Sequence, residues 1–161
     1  MTTVYVSIGS NIDRESNIRG GVAALRERFG ELRLSTVYES EAVGFAGDPF
    51  YNLVASFETD ASPDEVVAAL RAIEDRFGRV RTGPRFSSRT LDIDLLLYGD
   101  AVFEQPVVIP RQEITRNAFV LRPLAELAPD RVHPQTGKTY ARMWQEFDQA
   151  AQPLWPVAFA W

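Results

Sequence analysis

An apolar spacing of 4, 3, 4 occurs twice in this chain, at Ile18, Val22, Leu25 and Phe29 and again at Val66, Leu70, Ile73 and Phe77, and each run ends Phe-Gly. That spacing is the stripe of an amphipathic helix, and the glycine is a helix stop. The second helix also carries a start signal, Ser62-Pro63-Asp64-Glu65, with an N-cap serine, proline at the first helical position and glutamate at the third. Strand-like segments flank both helices: Thr3 to Ile8 before the first, Leu32 to Val43 and Tyr51 to Thr59 between them, and Thr90 to Tyr98 after the second. Strand-helix-strand repeated twice predicts an α+β protein, a ferredoxin-like two-layer sandwich with a βαββαβ core and a mainly antiparallel sheet. Beyond position 100 the pattern predicts a short strand at Val107 to Pro110 and helices at Ala118 to Leu127 and Tyr140 to Phe147. The tail from Leu154 to Trp161 is apolar for a terminus. It is expected to cover a groove on its own domain, with a dimer contact as the alternative. All 161 residues are expected to form one domain.

Composition removes several function classes. There is no cysteine and one histidine, which excludes disulfide scaffolds, thiol nucleophiles, zinc clusters and Ser/His/Asp triads. Any metal must be a hard ion on carboxylates. The net charge of −5 argues against a generally basic nucleic-acid or membrane binder. The N-terminus has neither the basic start nor the apolar run of a signal peptide, so a cytoplasmic protein is expected.

The chemistry concentrates between positions 76 and 98. On a strand, alternate residues share a face, so Leu91, Ile93, Leu95 and Leu97 are expected to point into the core while Asp92 and Asp94 point the other way together. Paired carboxylates repel unless a cation lies between them, and two hard ions there can bridge phosphates. Just upstream, Arg76, Arg79, Arg81, Arg85 and Arg89 occur with no acidic residue from Phe77 to Leu91. Arginine forks suit bidentate phosphate contact. A solvated face with surface ion pairs is the competing reading of the same residues. Arginines beside paired carboxylates fit metal-assisted transfer from a nucleoside triphosphate better. No P-loop is present: Gly137-Lys138-Thr139 imitates its end, but Val132 stands where the first glycine is required. His133, next to Pro134, reads as a turn residue.

At these residues the chain resembles the 6-hydroxymethyl-7,8-dihydropterin pyrophosphokinase family, from about Val4 to Trp144. The matching stretches are Ile8-Gly9-Ser10-Asn11, Phe50-Tyr51-Asn52, Arg79-Val80-Arg81, Arg89-Thr90-Leu91-Asp92-Ile93-Asp94 and Phe119-Val120-Leu121-Arg122-Pro123-Leu124. The resemblance implies transfer of the β,γ-pyrophosphoryl unit of ATP to the hydroxymethyl group of a reduced pterin, with AMP released. It implies that Asp92 and Asp94 are ligands of two Mg²⁺ ions, that Arg79 and Arg81 close on the triphosphate, and that Arg89 holds the transferred group. It further implies an ATP site with Arg71, Glu74, Ile93, Arg111 and Gln112. The pterin side is implied at Ser40, Val43, Gly44, Phe50, Asn52, Asp92 and Phe119. There Asn52 reads the lactam edge, Phe119 is one aromatic wall, and backbone groups at Ser40, Val43 and Gly44 meet the ring.

The chain departs from the family pattern at three places. Phe86-Ser87-Ser88 stands where Trp-Gly-Pro is usual before the arginine, Arg111 stands where a histidine is common, and Asn117 stands where an arginine is common, with Arg116 one place earlier. A paralogue acting on a related pterin, or one binding pterin without catalysis, fits these changes. A nucleotidyltransferase with an Asp-x-Asp strand and an RNA-binding ferredoxin-like module are the readings from other classes. The first normally has a Gly-Ser turn shortly before its aspartates, and the second needs an aromatic RNP1 pattern missing here. The expected partners are small molecules, ATP and the pterin, with neither nucleic acid nor membrane, and the expected state is a monomer.

Overall fold

The computed structural model describes residues 1–41, 47–78 and 90–161. Its centre is β1 (Thr2–Ser10), paired antiparallel with β4 (Phe50–Thr59) on one side and β5 (Asp92–Tyr98) on the other. β3 (Tyr38–Ser40) and the two-residue β2 (Arg33–Leu34) both pair with β4, and β6 (Leu154–Pro156) pairs with β3. The path β5-β1-β4-β3-β6 is the ferredoxin-like order extended by one C-terminal strand.

Helices α1 (Arg14–Phe29) and α2 (Pro63–Arg76) lie on one face. The α1 stripe buries Ile18, Val22 and Leu25, and Phe29 stacks on Phe57 of β4 with ring centroids 4.2 Å apart. Gly30 ends the helix at φ 86°, a conformation a side chain would strain, with its N–H bonded to the Arg26 carbonyl. The start of α2 forms the reciprocal bonds expected of it, Ser62 Oγ accepting from Glu65 N–H and Glu65 Oε1 from Ser62 N–H. Such a cap contributes about 1 kcal/mol. The sandwich gains a third layer from the C-terminal helices α4 (Ala118–Leu127) and α5 (Tyr140–Glu146), preceded by the single turn α3 (Glu113–Arg116). Tyr5, Val54, Leu96 and Leu97 form a second core with Leu121, Leu124 and Tyr140 on that side.

Three sequence expectations are refined. Of the segment expected as strand from Leu32 to Val43, the described part holds two short strands, because Ser35 interrupts the ladder: its Oγ accepts the Val54 N–H at 2.9 Å. Val107 to Pro110 contributes only an isolated bridge, Phe103 to Ile109. Leu97 does not join Leu91, Ile93 and Leu95. The β1–β5 register shifts between Tyr5 and Val6, so Leu96 is an extra residue, and both Leu96 and Leu97 turn into the second core. The tail covers its own chain. β6 lines the edge of β3, and Val157 and Phe159 pack on the first core. No helix among the described residues is long and apolar enough to cross a membrane.

Candidate active site

The C-terminal end of β1 sets the geometry. Gly9 stands in register with Asn52 on β4 and with Asp92 on β5. Residues directly opposite on neighbouring strands share a face, so the amide and the carboxylate flank Gly9 on the same side of the sheet. Strand spacing puts their backbones about 10 Å apart. A side chain at Gly9 would collide with the amide: a Cβ there would lie 2.6 Å from Asn52 Oδ1. The absence of a side chain at Gly9 therefore lets the Asn52 carboxamide lie against the β1 backbone, in the same row as Asp92. Asn52 itself is 7% exposed.

Asp94 follows Asp92 on the same face, as the alternation requires, and both are half-buried. Glu74 reaches them from the opposite layer. It lies four residues after Leu70 on the buried stripe of α2, is 5% exposed, and its Oε2 accepts the Ile93 N–H at 2.8 Å. β5 is the edge strand, so this bond caps a backbone donor that has no neighbouring strand. An extended residue sends its N–H and C=O to the same side, so the Ile93 carbonyl also faces outward, while the Ile93 side chain is in the first core. Carboxylate oxygens of Glu74, Asp92 and Asp94 come within 4.8 Å of one another. Three oxygen donors with no nitrogen or sulfur ligand are the set that a hard divalent cation takes. Mg²⁺ therefore fits these residues.

Arg111 supplies positive charge beside the cluster. Its N–H bonds the Leu96 carbonyl on the β5 edge, its Nη2 lies 3.5 Å from Asp94 Oδ1, and its Nε pairs with Glu113. Burial pulls the guanidinium pKa down, but the charges of Asp94, Glu113 and Asp92 outweigh that and hold it above its ordinary value. Arg111 thus stays a cation.

The remaining expected residues divide by location. Phe119, at the start of α4, packs half-buried against the second core on the face that carries Asn52. Ser40 and Phe50 face each other as the pair that opens the β3–β4 ladder. Arg71 is exposed on α2, one turn before Glu74, and Gln112 is exposed before α3, its carbonyl accepting from Thr115. Asn117 links α3 to α4, and its carbonyl accepts the N–H groups of Val120 and Leu121. Arg76 pairs with Glu27 at 3.7 Å on the surface. Val43, Gly44, Arg79, Arg81, Arg85, Phe86, Ser87, Ser88 and Arg89 lie outside the described residues. Sequence reasoning had placed Glu74 beside the nucleotide but missed that it joins the aspartates. The available signal was a carboxylate on the apolar stripe of a helix.

A ferredoxin-like sheet presenting three clustered carboxylates, a flanking guanidinium and a buried amide in one region fits the class of proteins that transfer phosphoryl groups. The comparisons with known proteins specify it further. The family described as 7,8-dihydro-6-hydroxymethylpterin-pyrophosphokinase matches residues 5–129. A 2-amino-4-hydroxy-6-hydroxymethyldihydropteridine pyrophosphokinase of Synechocystis is 40% identical, covering 95% of this chain and 79% of that protein. One of Pseudomonas aeruginosa is 42% identical, covering 79% of this chain and 81% of the relative. Among solved structures, the HPPK-DHPS of Plasmodium falciparum with pteroate superposes with a TM-score of 0.71 at 14% identity, over 90% of this chain and 42% of that one. That likeness supports the fold. The chain belongs to the 7,8-dihydro-6-hydroxymethylpterin-pyrophosphokinase family, whose members are ATP-dependent diphosphotransferases.

Proposed function

We propose that this chain, as a single domain, transfers the β,γ-pyrophosphoryl unit of ATP to the hydroxymethyl group of 6-hydroxymethyl-7,8-dihydropterin in folate biosynthesis. The pterin hydroxyl oxygen attacks the β-phosphorus, the bond from that phosphorus to the α–β bridging oxygen breaks, AMP leaves with that oxygen, and the hydroxyl proton is released to solvent. The observation that carries the reading is the row Asn52–Gly9–Asp92, which sets an amide able to read a lactam edge and a carboxylate on one face of the sheet. Two Mg²⁺ ions held by Asp92 and Asp94 would neutralise phosphate charge and align the attacking hydroxyl. Glu74 fixes the strand that presents both aspartates through its bond to Ile93. On this reading the outward Ile93 carbonyl meets the nucleotide, and Arg71 on α2 and Gln112 before α3 contribute to the same site. Arg111, held as a cation, stabilises phosphate oxygens beside Asp94. Asn52 offers both a donor and an acceptor to the pterin, Phe119 stacks on its ring, and Phe50 and the backbone at Ser40 border it.

By family position, Arg79 and Arg81 grip the triphosphate, Arg89 holds the transferred group, and Val43 and Gly44 meet the pterin. The protein acts on these small molecules as a cytoplasmic monomer. Nucleotide product analysis tests the reading: purified protein, Mg²⁺, ATP and the pterin are mixed, and AMP, ADP and pyrophosphate are separated. Pterin-dependent AMP without free pyrophosphate is expected. Free pyrophosphate would mark nucleotidyl transfer, and no AMP with ATP binding intact by calorimetry would mark a different acceptor or a binding-only paralogue.

A further inference from the structure

A second set of charged contacts lies at the far side of the sheet, separated from β5 by β1 and β4. Arg14, the first residue of α1, sends one guanidinium nitrogen to two acceptors, Glu39 Oε2 at 2.6 Å and the Pro49 carbonyl at 3.0 Å. Glu39 immediately precedes Ser40, and Pro49 immediately precedes Phe50. One cation therefore ties the strand entering the 42–46 segment to the chain leaving it. The same guanidinium lies 3.8 Å over the Tyr51 ring, which restricts its orientation. Asn11 Nδ2 adds a tie from the end of β1 to the Asp48 carbonyl at 3.1 Å.

The other Glu39 oxygen is taken by the C-terminal tail. Trp155 sits opposite Glu39 in the β3–β6 register, and its Nε1 donates to Glu39 Oε1 at 2.8 Å. Beyond β6, the Val157 N–H bonds the Val37 carbonyl, Phe159 meets the edge of Tyr51, and the Ala160 carbonyl accepts from Arg19 of α1. The tail thus ties into the same frame as Arg14, on the face that carries Glu39 and Tyr51.

We infer that Arg14, Glu39 and Trp155 form a positioning clamp that fixes the Ser40–Phe50 stems and thereby sets affinity for the reduced pterin. The C-terminal tail is then a working part of the acceptor side. The inference rests on the reading of Ser40, Phe50 and Asn52 as that side. Its physical basis is preorganisation: stems held by charge-assisted bonds lose less freedom when a ligand is enclosed. Nothing in the clamp is shared with the carboxylate edge, so its effect falls on the pterin and leaves ATP alone.

Steady-state kinetics of Glu39→Gln, Trp155→Phe, Arg14→Gln and the Arg14→Gln/Glu39→Gln double variant test this, with thermal midpoints recorded for each. The KM for pterin should rise about tenfold in Glu39→Gln, since bonds to charged groups are worth more than neutral ones. The KM for ATP and kcat should stay within about twofold, and the double variant should cost no more than the costlier single. Equal rises in both KM values, or altered midpoints with an unchanged pterin KM, overturn the clamp. Asn52→Ala, with Phe119→Ala as a second control, separates the two layers of argument. Lost pterin affinity in the controls with none in Glu39→Gln defeats the clamp alone, and no loss in either set defeats the acceptor-side reading beneath it.

Discussion

Asp92 and Asp94 stand two residues apart on one edge strand, whereas the opposite rim gathers Arg14, Glu39, Tyr51 and Trp155 from four elements spanning most of the chain. The first arrangement needs only the two-residue period of a strand to place its groups. The second exists only once the helix, the hairpin and the tail have all docked. One edge concentrates negative charge beside Arg111, in a set of carboxylates that the proposed divalent cation would neutralise. The other pairs its charges internally, so it can serve as a frame without a ligand. The contrast predicts that damage to the carboxylate edge appears in kcat and damage to the rim in acceptor affinity.

The harshest test of the carboxylate edge is Asp94→Ala. The side chain is 30% exposed and packs into neither core, so the fold should survive. Turnover should fall about a thousandfold, the scale of losing a transition-state charge partner. AMP release beside a wild-type circular dichroism melt measures this, and activity within tenfold of wild type would remove Asp94 from the metal role. Glu74 divides the next effect into two parts. Glu74→Gln keeps an acceptor for the Ile93 N–H but discards one charge of the cluster. Stability should hold, while apparent Mg²⁺ affinity falls about tenfold to a hundredfold, as for outer supports of metal sites. Glu74→Leu also strands the Ile93 N–H on the sheet edge and should cost about 1–3 kcal/mol in denaturant melts. Equal stability of the two variants would break the edge-capping argument.

Legibility followed the same contrast. The βαββαβ order came from stripes at Ile18–Phe29 and Val66–Phe77, because helix periodicity and capping are local. The aspartate pair came from strand alternation, also local. The bulge that sends Leu96 and Leu97 into the second core was not legible, since it depends on how β5 registers with Tyr5 and Val6. The interruption at Ser35 was hidden for a similar reason: it rests on a bond to Val54, nineteen positions away. Glu74 could be read as a buried carboxylate on an apolar stripe, but not as a neighbour of Asp92, because the two belong to opposite layers. The Glu39–Trp155 contact crosses 116 positions, and no sequence pattern encodes such a pairing. The apolar tail announced only that it needed a surface to cover.

The turn at His133 belongs to neither edge and so supplies the smallest and cleanest control. His133 is the chain's single histidine, 3% exposed, and its Nδ1 accepts the N–H groups of Gln135 and Thr136, both at 3.1 Å. Only an unprotonated Nδ1 can accept, and burial lowers the imidazole pKa below its usual 6.5. The unfolded chain therefore binds the proton first as pH falls. The stability from this group is complete above pH 6.5, drains as pH drops below it, and levels off once the folded imidazole also titrates. His133→Asn offers a carbonyl acceptor that does not protonate in this range. Thermal midpoints of the two proteins should converge as pH is lowered from neutral through the histidine range, with pterin and ATP KM values unchanged throughout. A constant difference between the two midpoints would show that His133 keeps its proton state on unfolding. A pH-dependent change in either KM would tie the turn to one of the two edges after all.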